Sequence, residues 1–460
     1  MSADCLDCRR SDFLRKAVAE AGRGLPEIEP GMPIPAGTGL SRRTFLSRSA
    51  GLALAVYGGG SLSALAFDEG IARASSSPTG TPQKVLVSVF LAGGIDSLNV
   101  LFPAGDSRYY QMRPNLGLPE ANGIAYAPDS RLFWNPAAAS FSKLFNSGKM
   151  SVAPAIGYND SDLSHFTSRH YWEVGATDAD LRTGWLGRYL DSVGTADNPL
   201  QGLTLDVALQ PELATAKVPV ATIQAANQYT FAAPGIPPHP LETSMLQEAA
   251  NLGAEFAKMS DPSLSVAGET AVSSHHLSLE LGSFAYGLNT PVPYPVSSSP
   301  FPQQLAGLAA MLAAGLPIQV VSITSPGHFD THASQAATLA SGLQITADSL
   351  LAFQNDLEAR GIDDRVLIHV WSEFGRRPTE NASAGTDHGS AGIGMLIGSA
   401  VNGQQIGSFP GLTSLDSNGN LLPTADFRAV YASILEQWFN ADANSILPGV
   451  QAFQRPVLFG

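Results

Sequence analysis

Cysteine is nearly missing from this chain. Cys5 and Cys8 are the only two among 460 residues, and both stand at its start. That excludes disulfide stapling and thiolate chemistry in the body of the protein, and one Cys-x-x-Cys without a second pair cannot complete a four-cysteine zinc site. Charge is scarce too, at 14% of residues against 44% hydrophobic, so the chain can bury a sizeable core and is not disordered overall. What charge there is has one dominant sign. A net charge of −14 excludes a nucleic-acid backbone as the main partner, because that partner requires a Lys/Arg-rich surface. It leaves room for a small anionic substrate held locally by an arginine or a metal ion. Beyond the first eighty residues no apolar run reaches the roughly 18 residues of a membrane span.

The start of the chain reads as an address. "SRRTFL" at 41–46 places Arg42 beside Arg43, and the apolar, glycine-interrupted run "AGLALAVYGGGSLSALAF" follows. Ala72-Arg73-Ala74 then offers a small-x-small cleavage site. This order resembles a twin-arginine export signal over residues 41–74, preceded by an N-terminal extension over 1–40 and followed by a flexible linker, "SSSPTGTP", over 75–82. The expected partner during export is the twin-arginine translocase, and the expected destination is periplasmic or extracellular. No cysteine follows the apolar run, so no stable membrane anchor is expected after cleavage.

From residue 83 onward, apolar runs of strand length end repeatedly in polar, chemically capable residues. "KVLVSVFLAGGID" ends at Asp96, and "KMSVAPAIGYNDSDLSHF" leads to Asp160, Asp162, Ser164 and His165. "PIQVVSIT" runs into His328, Asp330 and His332, and "DRVLIHVWSEFG" ends at Glu373. Between the last two lies a long amphipathic pattern carrying Leu339, Leu343, Leu350, Leu351 and Leu357. Strand, helix and strand of this length form a crossover that sets the two strands parallel, with their carboxyl ends on one side. Ligand crevices of parallel sheets lie outside those ends, so residues distant in sequence can meet there. The following loop, "RRPTENASAGTDHGSAG", adds Arg376, Arg377, Asp387 and His388.

His369, inside a strand pattern, reads as a core histidine, and His275 and His276 in a serine-rich stretch read as solvated. Asp160 and Asp162 read as helix caps and Trp172 and Trp185 as core. Near 200–300 the pattern loosens into a proline-rich insertion on the same domain, with "TSMLQEAANLGAEFAKM" helix-like within it.

The stretches "LAGGIDSLNVLFP", "SHFTSRHYWEVG", "GWLGRYLD", "GHFDTHASQ", "SEFGRRPTENASAGTDHG" and "TADFRAVY" together resemble a bacterial family of exported proteins grouped with the alkaline phosphatase and sulfatase superfamily. The resemblance implies an α/β fold over residues 83–460, a doubly wound, mostly parallel sheet flanked by helices, and hydrolysis of phosphate or sulfate esters. By position it implies Ser164 as nucleophile, and Asp96, Asp330, His332 and His388 as metal ligands, with Glu373 where a second metal is usually held and Asp387 beside His388. Arg376 would either clamp the ester's free oxygens or form a structural ion pair behind the sheet. Carboxylate and imidazole ligands without thiolate favour Zn²⁺ or Mn²⁺ over Ca²⁺ or Mg²⁺.

The sequence departs from that pattern at several points. Ser372-Glu373 stands where an aspartate-histidine pair is usual, the step from Asp330 to His332 is short, Ser97 and His328 replace glycines, and Arg377 replaces a threonine. These departures weigh against a full two-zinc site. They also support the alternative of a non-catalytic extracytoplasmic binding or assembly protein with a degenerate site and no metal.

Overall fold

Strand β1, Val85–Phe90, is buried along its whole length because it has a hydrophobic layer on each face. Val85, Val87 and Val89 point into one core and Leu86 and Phe90 into another, the two-residue alternation of a strand with both faces covered. The computed structural model describes residues 83–195, 198–224, 241–261 and 290–460, with Val56, Tyr57 and scattered positions between 264 and 281. Contacts group the chain into Met1–Pro33 and Ile34–Gly460, and every described residue belongs to the second unit. The extension, the linker and the export signal lie outside the described residues, except that Val56–Tyr57 forms a short strand.

In chain order the other strands of the main sheet are β2, Met150–Gly157; β3, Gly202–Thr204; β4, Val220–Thr222; β5, Val320–Thr324; and β6, Val366–Trp371. A hairpin of β7, Gly375–Glu380, and β8, Thr386–Gly389, follows β6, and β9, Gly392–Ile397, and β10, Ala425–Asp426, return to the sheet. The nine-stranded sheet starts at Val56–Tyr57 and continues β4, β3, β5, β1, β6, β9, β2, β10. From β4 through β6 all neighbours pair in parallel; β9 is antiparallel to both β6 and β2, and β10 is parallel to β2. The sheet is mixed but mostly parallel, and β1, β2, β5 and β6 end on the same side. The stretch near 200–300 contributes β3 and β4 to it.

Helices cover both faces. Ala139–Asn146, Phe301–Ala313 and the long Gln335–Ala359 pack on the face of Val85, Val87 and Val89. His165–Val174, Trp185–Val193 and Phe427–Ser433 pack on the other, where Trp172 stacks between Trp371 and Phe427. The crossover from β5 through Gln335–Ala359 to β6 passes over β1, which lies between the two strands it joins. Leu241–Phe256 is helical as its pattern predicts. His369 is buried inside β6, and burial pushes its pKa down to about 3. His275, expected in solvent, is buried. No helix among the described residues is long and apolar enough to cross a membrane.

Candidate functional site

Four strand ends build the site. After β1 the chain turns through Gly93 and Gly94, both in the left-handed region (φ 113° and 69°), which glycine adopts without a Cβ clash. A Cβ on Gly93 would collide with the backbone of Phe329 and Asp330, so the turn packs directly on the loop that follows β5. After β2, Ser164 caps helix His165–Val174 by accepting from Phe166 N (3.3 Å), and Asp162 Oδ1 accepts from Ser164 N (2.8 Å). That cap sets His165 at the helix start, facing the end of β6.

The ends of β1 and β6 are tied together through Glu373. Its buried carboxylate accepts from Gly93 N (2.9 Å) and Gly94 N (3.0 Å), two successive amides forming an anion-holding concavity. It also contacts His165 Nδ1 at 2.8 Å, and this hydrogen bond raises the His165 pKa above its ordinary value. His165 Nε2 is turned inward, buried, without a hydrogen-bond partner, and 3.4 Å from Asp330 Oδ2.

Asp330 is the hub. Arg376 donates to its Oδ1 (2.6 Å), His332 Nε2 lies 3.0 Å from the same oxygen, and His388 Nε2 lies 3.4 Å away. Partial burial opposes its ionisation, but Arg376, His165 and His332 outweigh that and bring its pKa down to about 2. His388 Nδ1 contacts Leu163 O (2.7 Å), which leaves Nε2 facing the hub and 3.0 Å from His332 Nε2. Desolvation lowers the His388 pKa, favouring the neutral imidazole. The Phe374 ring lies against both His165 and His388, at 4.9 and 4.5 Å between centroids.

His165, Asp330 and His388 each present one donor atom, all within 4.8 Å of one another. The group fits a divalent cation. Each histidine is oriented through Nδ1 by an oxygen, the arrangement that leaves Nε2 free to ligate, and His165 Nε2 has no other partner. Two imidazoles and a carboxylate form a donor set zinc accepts with a position left open.

The residues expected from the sequence divide around this group. Asp330, His332 and His388 meet; Asp387 touches the rim through His332 Nδ1 at 3.4 Å. Glu373 stands behind His165 as its orienting partner. Asp96 is a correction: its fully buried carboxylate faces Arg113, with Nη1 and Nη2 at 2.5 and 2.9 Å, and Gln335 Nε2 at 2.5 Å. Arg113 lies in a segment with no motif, and the pairing appears only when helix Ser107–Met112 folds back over β7. Arg376 occupies the structural one of its two expected roles. Its buried guanidinium donates to Gly94 O (2.7 Å), Thr386 O (2.8 Å), Gly93 O and Asp330, so it braces the site rather than meeting a ligand. His165 joins the cluster although the resemblance implies a role only for Ser164 beside it. The available signal was a histidine just past a strand end, the same signal that singles out His332.

The chain belongs to the family described as "Protein of unknown function (DUF1501)", whose profile matches residues 151–445. No curated protein matches the sequence. Similar solved structures include a protein in the alkaline phosphatase superfamily from Vibrio parahaemolyticus, 8% identical over 81% of this chain and 74% of that one, with a TM-score of 0.34. A sulfatase from Pseudoalteromonas sp. is 11% identical over 83% and 74%, with a TM-score of 0.33. The lipoteichoic acid synthase LtaP from Listeria monocytogenes is 10% identical over 80% and 75%, with a TM-score of 0.31.

Proposed function

We propose that this chain is an exported, metal-dependent hydrolase of phosphate or sulfate esters, carried by the twin-arginine translocase to the periplasm or beyond the cell. The observation that supports it is the convergence of His165, Asp330 and His388 donors within 4.8 Å at the carboxyl ends of β2 and β5 and on the hairpin after β6. These three residues would hold the ion, Zn²⁺ or Mn²⁺ by donor chemistry, with His332 Nε2 close to two of them. A bound divalent cation supplies charge neutralisation on the ester and a lowered pKa for an attacking hydroxyl or water.

The protein's own contribution is orientation. Glu373 fixes the His165 tautomer, Leu163 O fixes that of His388, and Arg376 holds Asp330 ionised. Ser164 is the candidate nucleophile. Its hydroxyl accepts from Phe166 N at the positive end of the helix and donates to no group among the described residues, so the oxygen is placed beside His165 with its proton uncommitted. Attack on the ester's phosphorus or sulfur would release the alcohol, and water would then free the inorganic anion.

The retirement of Asp96 and Arg376 into internal bonds supports a second reading, an extracytoplasmic binding or assembly protein that retains the cation cluster without turnover. Elemental mass spectrometry on the purified chain, with a phosphate- and sulfate-ester panel, separates the two. The hydrolase reading expects stoichiometric metal, lost in Asp330→Ala, and ester turnover abolished by chelation and by Ser164→Ala. Metal without turnover on any ester selects the binding protein, and no metal rejects both metal-based versions.

A further inference from the structure

Arg169 is held in place by three neighbours and still has a donor to spare. On helix His165–Val174 it follows His165 by four residues, so the two share a helical face with their Cα atoms about 6 Å apart. Glu173, a further turn on, accepts from Arg169 Nε (2.7 Å), and Gln210 Oε1 accepts from Nη2 (2.7 Å). The guanidinium lies 4.6 Å from the ring centroid of Phe90, the last residue of β1. Nη1 meets no acceptor among the described residues and is not sealed from solvent, and the side chain is 35% exposed.

The amide of Gln210 also holds an acid. Its Nε2 donates to Asp206 Oδ2 (2.8 Å) and to Thr324 Oγ1 (3.3 Å), on the last residue of β5, and that hydroxyl donates to Asp206 Oδ2 (3.3 Å). Asp206, half-buried just past β3, pairs with no cation among the described residues, and its Oδ1 accepts only from the adjacent Val207 N (2.6 Å). One amide thus stands between an arginine and an aspartate that a direct ion pair would have used up. Arg169 Nη1 keeps a free donor, and Asp206 Oδ1 keeps a lone pair. The cluster borders the cation group along the same edge of the sheet: Arg169 is one turn from His165, Phe90 precedes the Gly93-Gly94 turn, and Thr324 leads into the loop of Asp330.

We propose that Arg169 and Asp206, spaced by Gln210, bind neighbouring hydroxyls of the alcohol part of the ester, and that this alcohol is a polyol. The proposal rests on the ester-hydrolase reading and deepens it by naming the side of the substrate that the cation does not hold. A hydroxyl both accepts and donates, so one of a vicinal pair takes the Nη1 proton while the other gives its own to Oδ1. A second anionic group would be repelled by Asp206 and a cation by Arg169, which selects a neutral ligand rich in hydroxyls. Because both groups are already locked by Glu173, Gln210 and Thr324, binding costs them little freedom.

The test is saturation-transfer NMR titration of glucose, galactose, myo-inositol and glycerol into wild type, Asp206→Ala and Arg169→Lys, with circular dichroism and metal content measured on the same samples. Arg169→Lys keeps a positive charge for Glu173 but loses the planar fork. Wild type should bind at least one of the four, and each folded variant should bind it about tenfold more weakly or worse, since each removes a hydrogen bond to a charged group. Metal content should not change. Binding of a hexose assigns the alcohol to saccharides, and binding of inositol or glycerol alone assigns it to a lipid headgroup. No binding of any probe to wild type, or equal binding in wild type and either folded variant, overturns the subsite. Binding that is lost in Asp206→Ala, in a protein that turns over no phosphate or sulfate ester, upholds the subsite and rejects the hydrolase reading.

Discussion

His165 Nδ1 lies 2.8 Å from Glu373 Oε1, and the Glu373 carboxylate is in turn held by the amides of Gly93 and Gly94. Three strand ends are thereby joined through one carboxylate, and the imidazole is left with Nε2 as its free nitrogen. Outer partners of this kind set both the tautomer and the direction of a ligating histidine. Glu373→Ala should therefore weaken metal binding by about 10–100-fold while the three donor residues remain in place. Competition against a fluorescent chelator measures this, and an unchanged affinity would remove Glu373 from the supporting shell.

The turn that supplies those amides has no room for a side chain. Gly94 has φ 69°, and a Cβ there would overlap the Phe374 ring, which lies against His165 and His388. Gly94→Ala should lower stability by about 1–3 kcal/mol and also weaken metal binding, because the displaced ring moves both histidines. Urea unfolding read beside metal affinity checks the coupling; loss of stability with intact affinity would show that the ring does not transmit the strain.

Asp96 and Arg113 form an ion pair with both side chains fully buried. Asp96→Asn leaves the Arg113 charge uncompensated and should cost about 3–5 kcal/mol. The folded fraction should keep its metal, since Asp96 has no free oxygen facing the cation cluster. Complete loss of metal from folded Asp96→Asn protein would return Asp96 to the ligand set.

On the opposite face of the sheet, Glu212 is fully buried and accepts from Ser88 (2.8 Å) and Ser322, which are paired in register on β1 and β5. Glu173 is also buried, paired with Arg169 at 2.7 Å. Desolvation pushes each carboxyl up to about 7, against an ordinary value of 4.5. A raised acid binds its proton more tightly in the folded state. The stability it contributes is therefore full below pH 4.5 and is lost as pH rises through about 7. Thermal stability should fall between these limits, and Glu212→Gln, neutral at every pH, should flatten the fall by on the order of 1–3 kcal/mol. Melting curves at pH 5 and pH 8 decide it; parallel falls in both proteins would place the proton elsewhere.

The strands and helices were legible because each carries its own period. The two-sided burial of Val85–Phe90 shows in its unbroken apolar run, and Gln335–Ala359 shows in its spaced leucines. Asp330 and His332 were legible for a related reason: polar residues directly after a buried strand have few places to go but the carboxyl edge of the sheet, whereas His388 sits within the hairpin strand β8. The roles of Asp96 and Arg376 were not. Whether a carboxylate meets a metal or a guanidinium depends on what folds over it, and Arg113 and Gln335 reach Asp96 from two elements that are not neighbours in sequence.

The amino-acid sequence by itself therefore determined the mostly parallel character of the sheet, the side on which its loops gather, and the chemical types available there, since local periodicity and strand-end position are written in contiguous residues. Only the tertiary structure decided which of those residues face one another. Hydrogen bonds and ion pairs are satisfied within a few ångströms, and in this chain the decisive partners, His165 with Glu373, Arg113 with Asp96 and Arg376 with Gly93 and Gly94, come from separate segments brought together by the sheet.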